Sequence, residues 1–293
     1  MCANNIKFKK AISLAILVFI FSQSPGFAKD PTPGCIVIYG DSRTNDMVHE
    51  EIANSIIKVK PETIFHTGDI VDNGSDPQDW VIPMKIISKL KAIAEFYPAI
   101  GNRESNTPYF AMNFRLPNNG RWYSVERQGI HFIVLDTNSS IGPVSMQYKW
   151  LVDDLESVKD RNKFIVVIMH HPIFSTGYHS GKKIELTKIL VPLFEKYGVD
   201  IVFSGHDHDY ERSLYENIYY IVTGGGGANL YGKKTESPYS QFFIREFHFC
   251  QLCRRGNKLA VTVFDMYFNV LDEFVVKKKS AQSARAPILQ TPK

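Results

Sequence analysis

The sequence has few cysteines, four in 293 residues, and a single Cys-x-x-Cys pair formed by Cys250 and Cys253. With no second pair to complete it, a four-cysteine zinc site is disfavoured. Internal repeats are absent, which excludes solenoids and propellers. Surplus charge is also scarce. The formal net charge is +4, but Lys7, Lys9 and Lys10 lie among the first 28 residues, which carry no acid, so the remainder stands at +1. A chain so balanced has no basic field to make nucleic acid its main partner. No apolar run is long enough to span a bilayer comfortably, the longest being residues 11–21.

That run follows a basic start and precedes a breaker-rich stretch with small residues at Gly26 and Ala28. This is the layout of a secretory signal peptide cleaved near Ala28. The alternative is an uncleaved N-terminal anchor, and in both cases the folded part lies outside the cytoplasm. The expected organisation is a signal peptide over 1–28, one domain over 29–279 and a loose tail over 280–293. The protein is expected to be exported, periplasmic or secreted, with no stable membrane span after signal removal. In an oxidising compartment Cys250 and Cys253 either close a disulfide or stay free thiols, and Cys35 reads as a buried strand residue. An apolar share of 44% supports a core of ordinary size without staples.

Strand-like and helix-like stretches alternate through most of the chain. Residues 35–39, 63–65, 97–100, 164–169 and 200–203 read as strands. Residues 48–59, 82–93, 146–158 and 183–197 have helical spacing, as Val48, Ile52, Ile56 and Val59 illustrate. A hairpin is expected over 123–125 and 131–136, turning at Gln128-Gly129. From residue 218 the pattern changes to strands at 218–223, 241–249, 258–264 and 270–276, mostly antiparallel. Such an order predicts sheets covered by helices.

Asp41, Asp69, Asn102, His170 and His206 each follow a predicted strand, where α/β sheets place their ligand sites. They lie in Gly40-Asp41-Ser42-Arg43, Gly68-Asp69-Ile70-Val71-Asp72, Gly101-Asn102-Arg103-Glu104, Met169-His170-His171-Pro172 and Gly205-His206-Asp207-His208. Glycine ahead of a polar residue lets the chain turn tightly and present the next side chain. Mixed Asp, Asn and His donors suit zinc, iron and manganese. An aspartate can bridge two ions, and two close ions can clamp the attacking and leaving oxygens of a phosphoryl transfer. Each segment alone is a weak signal; five in this order are a specific one.

Together they resemble the calcineurin-like metallophosphoesterases, and within them the purple acid phosphatases and their bacterial relatives. The resemblance runs from about residue 35 to 227 and includes residues 129–137 and 221–228. It implies a mixed α/β (α+β) fold, a four-layer αββα sandwich with metals at one edge. It implies two divalent or trivalent ions (Fe, Zn or Mn) and hydrolysis of small-molecule phosphate esters, phosphomonoesters first, by a metal-activated hydroxide. A phosphodiesterase or nucleotidase, or a weakened phosphate-binding protein, are the alternatives. By the same resemblance Asp69 bridges, Asp41 and His208 hold the first metal, and Asn102, His170 and His206 hold the second. His179 is either the acid that protonates the leaving oxygen or a plain loop histidine. His171 is expected to pack or support, and His49, His66, His131 and His248 to be structural.

Three positions depart from the family pattern. Its wider Asp-x-His is Asp-Ser-Arg here, so Arg43 supplies no nitrogen ligand. The iron-binding tyrosine of purple acid phosphatases is replaced by Asp72, so no tyrosinate centre is expected. Gly-Asn-His-Glu has become Gly-Asn-Arg-Glu. Arg103 can grip phosphate and offset developing charge but cannot donate a proton at ordinary pH. A thinned first-metal site is the expectation.

Overall fold

The computed structural model of the protein describes residues 31–278 apart from 106, 161, 182 and 183. The expected signal peptide and the expected tail at 280–293 lie outside the described residues.

In chain order the first half runs β1 (Ile36–Tyr39), α1 (Asp46–Val59), β2 (Thr63–His66), α2 (Val81–Lys91), β3 (Glu95–Pro98), α3 (Tyr109–Asn113), β4 (Tyr123–Arg127), β5 (Ile130–Val134) and α4 (Met146–Ser157). The second half runs β6 (Phe164–Ile168), α5 (Ile184–Tyr197), β7 (Ile201–Ser204), β8 (Tyr210–Tyr215), β9 (Ile218–Thr223), β10 (Ser240–Ile244), β11 (His248–Arg255), β12 (Lys258–Asp265) and β13 (Val270–Lys277). They form a six-stranded sheet, β13-β12-β11-β1-β2-β3, and a seven-stranded sheet, β10-β8-β9-β7-β6-β5-β4.

The side-chain period of two explains why the central strands are apolar throughout. On β1, Ile36 and Ile38 enter the core between the sheets, while Val37 and Tyr39 pack beneath α1 and α2 with Ile52, Ile56 and Ile87. On β6, Val166 and Ile168 enter the shared core, while Ile165 and Val167 meet Leu151 of α4 and Leu190 of α5. Phe65 of one sheet stacks on Phe132 of the other at 4.4 Å between ring centroids. The result is the αββα sandwich the sequence implied. Helix α1 begins two residues earlier than expected because the Asn45 side chain caps it, accepting from the Val48 N–H at 3.3 Å.

Two expectations change. Residues 241–249 are not one strand: β10 ends at Ile244 and pairs with β8, whereas β11 starts at His248 and joins the other sheet. The charged pair Arg245-Glu246 interrupts the apolar residues at the point where the chain switches sheets, and it is the local mark of the break. The Cys250–Cys253 disulfide is also absent; Cys253 bonds Cys35, and Cys250 is a buried free thiol. Three residues along a strand put two Cα atoms about 10 Å apart and on opposite faces, beyond the roughly 7 Å a disulfide spans. Antiparallel pairing of β1 with β11 sets Ile36 opposite Leu252, and so brings Cys35 to Cys253 with 5.0 Å between Cα atoms.

All four histidines expected to be structural are buried, and His131 carries a testable consequence. It sits between Glu126 and Asp154, 2.7 Å from each, with Lys163 3.1 Å from Glu126 and the Ser124 hydroxyl 2.5 Å from Asp154. Burial pushes its pKa down, but the Asp154 and Glu126 hydrogen bonds and charges more than reverse this, leaving it raised. Its stabilisation is therefore fully present below the ordinary histidine value and is lost as pH rises through the raised one. His131→Gln should lower Tm by about 3 °C or more at pH 6. The loss should shrink at pH 9. An equal loss at both pH values would rule out a charged His131.

Candidate metal centre

The site forms where strands from both sheets end. Asp41 follows β1, Asp69 follows β2, Asn102 follows β3, His170 follows β6, and His206 and His208 follow β7. Asp41, Asp69 and His206 all hold left-handed backbone, with φ of 55°, 56° and 68°. Such conformations in residues other than glycine cost energy and mark sites where the surroundings enforce a geometry. The polar residues thus turn the chain themselves, joined ahead of Asp69 by Gly68 with φ of 97°. Gly101 and Gly205 serve close approach instead: a Cβ on Gly205 would lie 2.1 Å from Asp41 Oδ2, and one on Gly101 2.1 Å from the Asp69 nitrogen.

His170 is oriented by the Thr67 carbonyl, which accepts from Nδ1 at 2.9 Å. That fixes the tautomer and leaves the Nε2 lone pair facing inward. Around Nε2 stand Asn102 Oδ1 at 2.9 Å, His206 Nδ1 at 3.2 Å and Asp69 Oδ1 at 3.4 Å. His170 Nε2, Asn102 Oδ1 and Asp69 Oδ1 are acceptor atoms that repel one another unless a cation or a donated proton lies among them, and His206 Nδ1 joins them in the tautomer that carries its proton on Nε2. Burial and the surrounding histidines hold His206 far below the ordinary imidazole range, so its nitrogens are not both protonated. These four atoms fit a metal ion by donor chemistry and by position.

The second group is Asp41, Asp69 and His208. His208 gives Nδ1 to the Asn229 carbonyl at 2.8 Å and turns Nε2 toward Asp41 Oδ1, 3.6 Å away. Asp41 Oδ2 accepts the His206 N–H at 2.9 Å, while buried Oδ1 has no hydrogen-bond partner. Burial, then the Asp69 charge, push the Asp41 carboxyl well above the usual carboxylate range; burial also raises Asp69. An orphaned oxygen between two such carboxylates also suits a cation.

Arg43 and Asp72 lie at the rim of this group. The Arg43 Nε is 3.4 Å from Asp69 Oδ2, and its Nη1 donates to Asp72 Oδ1 at 2.6 Å. The Arg103 N–H donates to Asp69 Oδ1 at 3.0 Å, and its guanidinium Nε lies 3.8 Å from Oδ2. His179 stands beside His206, 4.0 Å between ring centroids, with Nδ1 bonded to Asp207 Oδ1 at 2.9 Å. All eight residues singled out in the sequence therefore share one location. His171 belongs there too, its ligand atom within 4.8 Å of those of His170 and His206. A cleft of about 300 Å³ opens beside Arg43, lined also by Asp72, Asp79 and Ile82.

Sequence reasoning assigned no role to Glu104, Asp207 or Tyr231. The Glu104 carboxylate accepts from the backbone N–H groups of Asp69, Ile70, Val71 and Gly101 at 2.8–3.1 Å, tying the Asp69 and Asn102 loops together. Burial, then Asp69, push it up to about 8. Asp207 anchors His179, and Tyr231 stacks on His208 at 4.2 Å. Glu104 closes the segment Gly101-Asn102-Arg103-Glu104, but its partners are backbone groups that no spacing reveals.

Comparison with known proteins matches the family model for calcineurin-like phosphoesterases to residues 38–210, which hold every proposed ligand from Asp41 to His208. Fe(3+)-Zn(2+) purple acid phosphatase 12 of Arabidopsis thaliana is 34% identical over 140 residues, covering 45% of this chain and 30% of the relative. A purple acid phosphatase of Glycine max is 34% identical over 139 residues, with 44% and 30% covered. The chain thus spans under a third of the length of these curated relatives. Among solved structures, the purple acid phosphatase PPD1 of yellow lupin superposes with a TM-score of 0.72 at 20% identity, covering 89% of this chain and 56% of that one. GAP50, the anchor in the inner membrane complex of Plasmodium, gives 0.71 at 22%, covering 84% and 89%. Likeness at these identities establishes the fold.

Proposed function

Since this chain belongs to the calcineurin-like phosphoesterase family, we propose that it is a metal-dependent phosphatase acting on small-molecule phosphomonoesters. The observation that carries this is the gathering of Asn102 Oδ1, His206 Nδ1 and Asp69 Oδ1 within 3.4 Å of His170 Nε2. Those four residues would hold one ion, and Asp41, Asp69 and His208 a second, in line with the iron and zinc in the name of the Arabidopsis relative. Metal ions held there supply Lewis-acid polarisation of a phosphoryl oxygen and make water a stronger nucleophile.

The remaining work falls to the chain. Arg103, with 40% of its side chain exposed and held by long contacts to the Asp72 carbonyl at 3.4 Å and Asp69 Oδ2 at 3.8 Å, would turn to a phosphate and offset charge on its equatorial oxygens. His179, steadied by Asp207, is the proposed proton donor to the leaving oxygen. Glu104 keeps the Asp69 and Asn102 loops in register. Export to an oxidising compartment is part of this reading and is supported by the Cys35–Cys253 disulfide. No helix among the described residues is long and apolar enough to cross a membrane.

The purified full chain should hydrolyse an aryl phosphomonoester when supplied with zinc, manganese or iron, and more slowly an aryl phosphodiester. A chelator should abolish turnover and added metal restore it. Diester hydrolysis outpacing monoester would move the assignment to a phosphodiesterase. Metal binding without turnover of either ester would leave a phosphate-binding protein on the same fold.

A further inference from the structure

The two halves of the proposed centre are not equivalent. Asp69 divides its oxygens between them: Oδ1 faces His170 Nε2 at 3.4 Å, whereas Oδ2 faces Arg43 Nε at 3.4 Å and Arg103 Nε at 3.8 Å. The oxygen that a first-half ion needs is therefore engaged by guanidinium groups. Arg43 is held in place from its far end, where Nη1 donates to Asp72 Oδ1 at 2.6 Å and to Thr44 Oγ1 at 2.9 Å. Only 11% of the Arg43 side chain is exposed.

We propose that the Arg43 guanidinium is a resident cation of the first half, competing with a metal ion for Asp69 and Asp41. The resting protein then keeps one ion, in the Asn102–His170–His206 half, and takes a second only when Arg43 swings aside. This rests on the metal-centre reading above and concerns how that centre fills.

Chemistry and geometry both favour competition. A guanidinium has donors only and stays protonated at any working pH, so it cannot become a ligand, and it opposes a second cation through like charge. Yet the half is not sealed. Arg43 Nε and Asp41 Oδ1 are both buried without a hydrogen-bond partner, so Arg43 neutralises charge here without completing the bonding. Asp72, which grips its outer end, is 54% exposed, and the neighbouring cleft is lined by both residues. The cleft gives the side chain somewhere to go while it keeps its Asp72 partner.

Metal counting on the full chain tests this. After dialysis against a mild chelator, elemental analysis should find one ion per chain in the wild type and two in Arg43→His, which restores a nitrogen ligand. In a Zn²⁺ titration followed by calorimetry, Arg43→Gln should strengthen the second binding event by about tenfold or more and leave the first unchanged. Asn102→Ala should lose the retained ion. Should Arg43→His misfold, the wild-type count and Asn102→Ala still decide. Two ions retained by the wild type, or identical titrations for Arg43→Gln and wild type, would overturn the inference while leaving a metal centre standing. A retained ion that survives Asn102→Ala and is lost in His208→Ala would also overturn it. No binding at any Zn²⁺ concentration would instead refute the centre itself.

Discussion

Asp69→Asn is expected to lower kcat for metal-dependent phosphate release by about a thousandfold or more, since Lewis-acid stabilisation is worth several kcal/mol. No other residue is engaged by so many of the proposed parts. Its Oδ1 lies 3.4 Å from His170 Nε2 and accepts the Arg103 N–H at 3.0 Å; its Oδ2 faces both guanidinium groups. Asparagine keeps the shape and one acceptor but removes the negative charge that holds a cation between the halves. Retention of more than about a tenth of wild-type kcat would show that Asp69 is not a ligand.

The same substitution should move stability the other way. Burial raises the Asp69 carboxyl pKa in the metal-free fold, and nearby Asp41 is raised by burial and by Asp69. For an acid with a raised folded value, ionisation opposes folding: the stabilisation present below the unfolded value is lost as pH rises through the folded one. Chelator-treated Asp69→Asn should therefore melt higher than chelator-treated wild type at neutral pH, with the gap closing as pH falls toward 4. A residue that lowers stability without its ligand and is needed for turnover is the usual balance at an active site. Loss of both activity and metal-free stability would point to a structural role.

Much of this arrangement could be read in advance because it is local. The polar residues follow apolar runs, and strand ends lie at one edge of each sheet, so Asp41, Asp69, Asn102, His170 and His206 converge as soon as the sheets form. The uniform burial of β1 and β6 likewise follows from residue type. What escaped was set by contacts distant in sequence. Glu104 bonds backbone groups up to 35 positions away, and Tyr231 reaches His208 across the Gly224–Gly227 stretch, whereas the sheet switch near residue 246 did have a local mark in Arg245-Glu246. Gly68 turns the chain as its residue type suggests, but the left-handed conformations at Asp41, Asp69 and His206 were not legible, for a related reason. A glycine signals either turning freedom or tight packing, and only its neighbours in space tell which.

The disulfide is the sharpest instance, and it carries the largest expected effect on stability. Cys35 precedes the first strand and Cys253 lies on β11, 218 residues later. Closing so long a loop in the unfolded chain removes much of its freedom, which in the chain-entropy account is worth about 5 kcal/mol. Cys35→Ser together with Cys253→Ser should accordingly lower Tm by about 10–20 °C. Cys250 supplies the control. Burial pushes its thiol up to about 12, and its Sγ lies 3.5 Å from Thr223 Oγ1. It should resist alkylation in the native protein, and Cys250→Ala should leave the cross-link intact. Peptide mapping without reductant should recover the Cys35 and Cys253 peptides joined. A Cys250–Cys253 link would contradict the β1–β11 register, because those side chains point to opposite faces of one strand. An unchanged Tm on loss of Cys35 would mean that this register is held by the surrounding core alone.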